Sequence, residues 1–448
     1  MKTTATLFSL LGLAFAHDSH HAHIAKRQSA AAAAGTQVVD GVTIPPLASI
    51  TFGMPTATTP AATATATPGA APPFSGGPKL PSPAWAFAQG QWPEMDKPID
   101  STSAQVQEWM KELDGYDIPD FSPTVDGSCV NDTAAEADAA KRGWWTCGGY
   151  TRDTDIVACP DKMTWGVSFD DGPAPYSTVL LEYLKQKSVS ATFFVVGSRV
   201  IEYPGILINE YMAGHEISVH TWSHPHLTSL TNAQIVAELG WTRKAIQAVL
   251  GVTPTTMRPP YGDIDDRVRM IALAMGLVPI IWTRTDDGHS FDTFDWMVAG
   301  GTVPGSTSFA EFQSILGNAS TLNTGFAVLQ HDLYEITVDL AVGYTLNAAL
   351  THNPPFTLEA VGKCSKIPTT NLYVESNTNK TFPFPAPPKS MASGSNSSSS
   401  ANSTSSGSSS NGKVSSQQGA SGTGGAPRSL ALSLPLGAAA LLALAALL

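Results

Sequence analysis

The chain has 448 residues and a formal net charge of −12, with 25 Lys and Arg against 37 Asp and Glu. That balance, without any Lys/Arg-rich face, excludes a nucleic-acid surface, because neutralising phosphates needs clustered cations. The length would hold two or three average domains, yet the composition shifts so sharply along the chain that the folded part is shorter.

Residues 1–16 carry Lys2, an apolar run from Leu7 to Phe15 and the tripeptide Ala14-Phe15-Ala16, the pattern of a secretory signal peptide. Residues 17–84 open with His17, His20, His21 and His23 before the dibasic Lys26-Arg27, then continue as Ala, Thr and Pro. With few large apolar groups this stretch builds no core, and a disordered, mobile linker is expected. Aromatic residues return over 85–160, including Trp92, Trp109, Trp144 and Trp145, and this stretch reads as an extension packed on the main domain, with a short helix near 104–113. Its tryptophans suit either a core or a sugar-stacking platform.

From 161 to 365 strand and helix patterns alternate. Strands are expected at 165–169, 191–196, 216–219, 256–258, 277–282 and 326–329; helices at 176–187, 198–212, 232–250, 263–275, 307–316 and 337–350. Thr231 followed by Gln234 makes a capping box. Repeated β-then-α units imply an α/β domain with a parallel sheet, and about 200 residues is short for a complete eightfold barrel, so a distorted or incomplete (β/α) barrel is expected.

Residues 366–425 read as a Pro-rich, then Ser/Gly-rich stalk, and 426–448 as an almost wholly apolar tail. Small residues from Gly419 to Gly424 ahead of that tail give the order of a glycosylphosphatidylinositol (GPI) anchor signal. Ser421 is the expected attachment point, with every residue from Gly419 to Gly424 equally qualified. A transmembrane helix is the competing reading, disfavoured because no basic residue follows the apolar run. Sequons stand at Asn131, Asn318, Asn379, Asn396 and Asn402. In an oxidising compartment the four cysteines are expected to pair. Cys159 and Cys364 bracket the patterned region and are expected to tie its ends together, leaving Cys129 with Cys147. No C-x-x-C pair offers a cysteine zinc site.

The polar residues fall into a pattern on this alternation. Ser168-Phe169-Asp170-Asp171-Gly172-Pro173 ends the first strand of the domain. Side chains alternate there, so one carboxylate is free for a metal and the other for a proton, although the same residues also make an ordinary turn. His220-Thr221-Trp222-Ser223-His224 offers two histidines four apart, as on one side of a helical turn; with Asp171 they would form a triad suited to Zn²⁺ with one position open to water. A surface histidine cluster that includes His226 is the alternative. In Arg258-Pro259-Pro260-Tyr261 the prolines stiffen a loop from which Arg258 can clamp Asp170, or which is simply Pro-rich. Asp292-Thr293-Phe294-Asp295-Trp296 and Leu329-Gln330-His331 follow later strands. Asp170, Asp171, His220, His224, Arg258 and His331 thus all fall at strand exits, the face where β/α barrels build active sites. His215 and His352 do not, and read as structural.

Taken in order, the five stretches at 168–173, 220–224, 258–261, 292–296 and 329–331 resemble the motifs of the polysaccharide deacetylases of carbohydrate esterase family 4, and the flanking signals resemble those of a fungal cell-wall chitin deacetylase. The resemblance implies a deformed barrel and metal-dependent removal of N-acetyl groups from β-1,4-linked N-acetylglucosamine in chitin, giving chitosan and acetate. Acetyl-xylan or peptidoglycan as the polymer, and an inactive polysaccharide-binding wall glycoprotein, are the other readings. It further implies that Asp171, His220 and His224 hold a divalent metal, zinc or else cobalt, while Asp170 acts as base, oriented by Arg258. His331 would be the acid, the Tyr261 backbone N–H an oxyanion donor, Leu329 part of the acetyl pocket and Trp296 part of the groove wall. Asp292 is expected to tune His331, with Asp286 its rival. The long segment 283–291 is expected to reshape the groove. The implied setting is a secreted protein anchored by GPI at the plasma membrane and wall, with no obligate protein partner.

Overall fold

The structure, a computed structural model, describes residues 37–39, 42–51, 62–379 and 390. The expected signal peptide, most of the stalk, the apolar tail, and the sequons at Asn396 and Asn402 lie outside these residues. So does the whole anchor-attachment stretch from Gly419 through Ser421 to Gly424. No helix among the described residues is long and apolar enough to cross a membrane.

An antiparallel hairpin, β1 (Gln37–Val39) with β2 (Val42–Ile44), comes first. The main sheet starts at β3 (Thr164–Asp170), whose residues are all buried. Trp165, Val167 and Phe169 alternate along it with Thr164, Gly166, Ser168 and Asp170, so one face supplies core side chains and the other small or polar groups. The sheet continues with β4 (Thr192–Val195), β5 (Glu216–Val219), β6 (Thr256–Met257), β7 (Val278–Pro279), β8 (Phe326–Ala327) and β9 (Thr357–Ala360). Its order is β7-β6-β5-β4-β3-β8, with β9 also on β3, and every pairing is parallel. Past β7, the Thr283 N–H donates to the Ala327 carbonyl at 3.0 Å and the Leu329 N–H to the Phe291 carbonyl at 2.9 Å. The far edge therefore bends back toward β8, giving the distorted, incomplete (β/α) barrel that the sequence suggested.

Helices Ser177–Lys187, Asn232–Leu250, Asp266–Ala274 and Gly305–Ala319 lie close to their expected places. The Thr231/Gln234 capping box is formed. The helix expected over 198–212 is two, Gly197–Glu202 and Pro204–Met212, because Pro204 has no N–H to continue a helix but is well suited to start one. The last expected helix, 337–350, is likewise interrupted by a π turn at Ala341–Thr345. Strand β9 was not expected: Thr-Leu-Glu-Ala carries no strand pattern and is defined by its pairing with β3.

Two boundaries need correcting. The stretch 17–84 was expected to be disordered, but among its described residues Ile44 and Leu80 are buried, and Ala66, Ala70 and Phe74 pack on the domain core. Too few apolar groups to build a core are enough to dock on one already formed. The stalk was expected from 366, yet Leu372 and Tyr373 are buried, and the Ile217 N–H donates to the Tyr373 hydroxyl at 3.1 Å. The tryptophans of the extension belong to the core reading: Trp144 and Trp145 are buried, and Trp85, Trp92 and Trp109 pack against the main cluster.

Cys159 is bonded to Cys364 across 205 residues, and Cys129 to Cys147 across 18. The longer link sits beneath β3, where a Cβ at Gly166 would come 3.0 Å from the Cys159 sulfur. Closing a loop of that length restricts the unfolded chain by about 5 kcal/mol in the chain-entropy account. Replacing both Cys159 and Cys364 by Ala is expected to lower the denaturant midpoint by a corresponding amount, measured by urea unfolding of the purified protein. An unchanged midpoint would show that the link does not stabilise the fold.

Candidate active site

The ends of β3 and β5 bring three ligand-type side chains together. One ligand atom from each of Asp171, His220 and His224 lies within 4.8 Å of the other two. Asp171 Oδ1 is 3.1 Å from His224 Nε2 and 3.4 Å from His220 Nε2. The backbone makes this possible by leaving the usual regions: Asp171, Thr221 and His224 have φ of 79°, 64° and 60°. The expected helical turn between the two histidines is absent; an irregular loop with two left-handed residues aims both rings instead. Such conformations cost roughly 1–2 kcal/mol each and persist only where the surroundings dictate them.

The donor set fits a divalent cation. His220 Nδ1 is 2.8 Å from the Arg258 carbonyl, which can only accept, so Nδ1 carries the hydrogen and Nε2 presents a lone pair. Burial pulls the His224 imidazole below its usual range, against the raising pull of Asp171, and so favours its neutral, ligating form. Asp171 Oδ1 is buried and makes no hydrogen bond. The Asp171–His220 and Asp171–His224 separations of 3.4 and 3.1 Å bracket about 3.3 Å, the spacing that tetrahedral ligands take around an ion at ~2.05 Å.

Asp170 faces a different environment. Its Oδ1 accepts from Arg258 Nη1 at 2.6 Å, and both side chains are buried. The same nitrogen reaches Ser168 Oγ at 2.9 Å, and the guanidinium lies 4.0 Å over the Phe194 ring. Asp170 Oδ2 is 4.0 Å from His220 Nε2, so the second carboxylate stands beside the ligand set without joining it.

His331 is held by Asp295. The side chain bonds through Nδ1 to Asp295 Oδ1 at 2.7 Å, and the backbone N–H donates to Oδ2 at 2.8 Å. This corrects the expectation that Asp292, or Asp286, tunes His331. Asp292 instead accepts from the Phe294 N–H at 2.8 Å and from the Trp296 indole at 3.3 Å. Asp286 is exposed on a short hairpin closed by the Arg284–Ser290 bridge. That hairpin leans on Glu311 through His289, and none of Asp286, Asp287 or His289 lines the site cavity. Burial alone would lower the His331 pKa, but the charge and hydrogen bond of Asp295, with Asp171 and Asp170 beyond, raise it to about 10. Burial also pushes Asp292 up to about 6.

Asp170, Asp171, His220, His224 and His331 open on one cavity of about 240 Å³, which Tyr261, Trp282, Asp292, Trp296 and Leu329 also line. Leu329 and Trp282 are buried, whereas Tyr261 and Trp296 are 51% and 49% exposed, so aromatic faces remain at the mouth. Trp282, Asp295 and Arg199, which donates to the Asp171 carbonyl at 2.7 Å, were not anticipated. Trp282 ends an expected strand, Arg199 sits in a helix start, and Asp295 was passed over for Asp292.

Because Asp295 supplies the nearest negative charge, Asp295→Asn is expected to lower the His331 pKa by about 1–3 units. An NMR pH titration of the ring measures this. A titration midpoint unmoved from that of the unsubstituted protein would contradict the assigned pairing.

Residues 158–280 match the polysaccharide deacetylase family. The chain is 50% identical over 345 residues to chitin deacetylase 1 of Cryptococcus neoformans var. grubii, covering 76% of this chain and 72% of that protein. It is 36% identical over 303 residues to chitin deacetylase 2 of the same fungus, covering 64% of this chain and 63% of that protein. The solved chitin deacetylase of Colletotrichum lindemuthianum aligns at 25% identity with a TM-score of 0.44, over 50% of this chain and 96% of that one. With half of its aligned residues shared with the first relative over most of both chains, this protein belongs to the polysaccharide deacetylase family.

Proposed function

We propose that the protein hydrolyses the N-acetyl groups of N-acetylglucosamine units in chitin, releasing acetate and leaving chitosan, with a divalent metal held by Asp171, His220 and His224. The observation that carries this reading is the meeting of three devices in one cavity: the ligand set, the Arg258–Asp170 pair and the His331–Asp295 pair. Relatives that are chitin deacetylases, at 50% and 36% identity, support chitin as the polymer.

An amide carbonyl is a weak electrophile, and the ion, when bound, supplies its polarisation and a pKa lowered toward ~7 for a neighbouring water. Zinc suits two imidazoles and a carboxylate, with cobalt the other candidate. Asp170, its Oδ1 held by Arg258, keeps Oδ2 to accept the proton of the attacking water. As the water oxygen bonds to the carbonyl carbon, charge gathers on the carbonyl oxygen, for which the backbone N–H of Tyr261 is the candidate donor. His331, with Nδ1 committed to Asp295, gives its Nε2 proton to the amide nitrogen as the C–N bond breaks. Acetate then departs and the sugar amine remains. Leu329 and Trp282 form an apolar seat for the acetyl methyl, and the exposed faces of Tyr261 and Trp296 suit a sugar ring.

Residues 62–379 constitute the catalytic unit in this reading. The patterns at 1–16, at Gly419 to Gly424 and at 426–448 support secretion and a GPI anchor at Ser421, and Asn131, Asn318 and Asn379 are candidates for glycans.

The test is acetate release from N-acetylglucosamine oligomers by the secreted protein, as isolated, after chelation and after zinc readdition. Chelation is expected to abolish release and zinc to restore it, while Asp170→Asn and His331→Ala each lower kcat by roughly 10²–10⁴-fold. Acetate from acetylated xylan or peptidoglycan but from no chitin oligomer would contradict the substrate, and no acetate from any polymer with metal bound would contradict the reaction.

A further inference from the structure

Between the two histidines of the ligand loop lie Thr221, Trp222 and Ser223, and most of the polar groups they offer are held by something outside the loop. The backbone N–H groups of Trp222 and Ser223 both donate to Glu238 Oε2, at 2.8 and 2.9 Å, and the Ser223 hydroxyl donates to Oε1 at 2.8 Å. Glu238 comes from the middle of helix Asn232–Leu250 and is 3% exposed. The carbonyls of Thr221 and Trp222 accept from the Gly197 and Ser198 N–H groups at 2.9 and 3.2 Å.

The other side of the loop is held by the N-terminal extension. The Trp222 ring is fully buried and stacks on Trp92, with centroids 6.3 Å apart and planes at 4°. Its indole N–H donates to the Glu94 carbonyl at 3.1 Å. Asp96, two residues on, accepts from the Ser198 hydroxyl at 2.8 Å. A Cβ at Gly197 would come 2.8 Å from the Trp222 ring, so the indole has no room to shift that way. The extension also grips the helix that carries Glu238: Trp109 covers Gly240, and Arg243 forms a two-pronged pair with Glu112 at 2.7 and 3.0 Å.

We propose that Glu238 and residues 92–96 form a two-sided clamp that positions the His220–His224 loop and thereby sets the affinity of the site for its divalent cation. The clamp rests on the metal reading of the site given above. It makes the extension a working part of the metal centre: with the loop held in its left-handed conformation beforehand, binding does not have to order it. Glu238 and Trp92 are positioning residues, since neither touches the ligand atoms. Groups that orient ligands typically change metal affinity by 10–100-fold when removed.

The experiment is the zinc affinity of the full secreted chain, read by competition with a chromophoric chelator well below the unfolding temperature. His220→Ala reports on the metal reading itself: zinc bound as tightly by this variant as by the unsubstituted protein would overturn both that reading and the clamp. With zinc binding lost in His220→Ala, the clamp predicts a Kd raised about 10–100-fold in Glu238→Ala and about tenfold in Trp92→Ala. Glu238→Gln, whose amide oxygen still accepts both N–H groups, is expected to stay within about threefold of the unsubstituted protein. Ile315→Ala, in a helix remote from the loop, controls for general destabilisation. Unchanged affinity in both Glu238→Ala and Trp92→Ala would overturn the clamp. So would an equal loss in Ile315→Ala, or in Glu238→Gln.

Discussion

Burying Asp170 and Asp171 side by side at the end of β3 is unfavourable unless each charge meets a cation, since a carboxylate taken out of water without a partner costs several kcal/mol. Asp170 meets Arg258, which is itself fully buried and therefore needs Asp170 in return. Asp171 faces the Nε2 atoms of two imidazoles, and that of His220, whose Nδ1 is bonded to the Arg258 carbonyl, is an acceptor that repels the carboxylate until a cation lies between them. The same constraint separates the roles of the two neighbours: one charge is satisfied by the protein, and the other waits for an ion. A third pair, His331 with Asp295, completes the site from beyond β8.

The scaffold around these charges is shared between the barrel and the N-terminal extension. Asp263 accepts from the Trp144 indole at 2.8 Å and the Thr146 hydroxyl at 2.9 Å, both in the extension, and from the Thr228 N–H and hydroxyl at 2.9 and 2.7 Å. Arg142 with Asp265, Arg152 with Asp266, and Asp155 with Arg269 are further buried pairs across the same boundary. Removing one partner of such a pair strands the other, which typically costs 3–5 kcal/mol. Gly262, at φ 66°, lets Trp145 of the extension approach the Arg258 loop, where a Cβ would meet its ring at 2.4 Å. The extension is therefore part of the domain wall.

The alternation of strands and helices and the carboxylates and histidines at strand exits were legible in the sequence, because periodicity and strand-end position are local properties. The choice between Asp292 and Asp295 was not. Both stand on one short loop, and which of them reaches His331 depends on the left-handed turn at Phe294, φ 57°, and on the helix Asp295–Ala299 that follows it. Docking of residues 62–84 was invisible for a related reason: composition tells whether a stretch can build its own core, not whether another core offers it a seat. Glu238 did leave a signal. It falls three residues after Ile235 and next to Leu239 on the apolar side of a long helix, where a carboxylate needs a buried partner.

The most direct measurement of the central claim is anomalous X-ray diffraction at the zinc edge from crystals of the protein grown with zinc. The account predicts one strong peak bounded by Asp171 Oδ1, His220 Nε2 and His224 Nε2, at ~2.0–2.2 Å from each, with Asp170 still on Arg258 outside the coordination sphere. A peak elsewhere with those three atoms unligated, or Asp170 drawn off Arg258 into the coordination sphere, would contradict it.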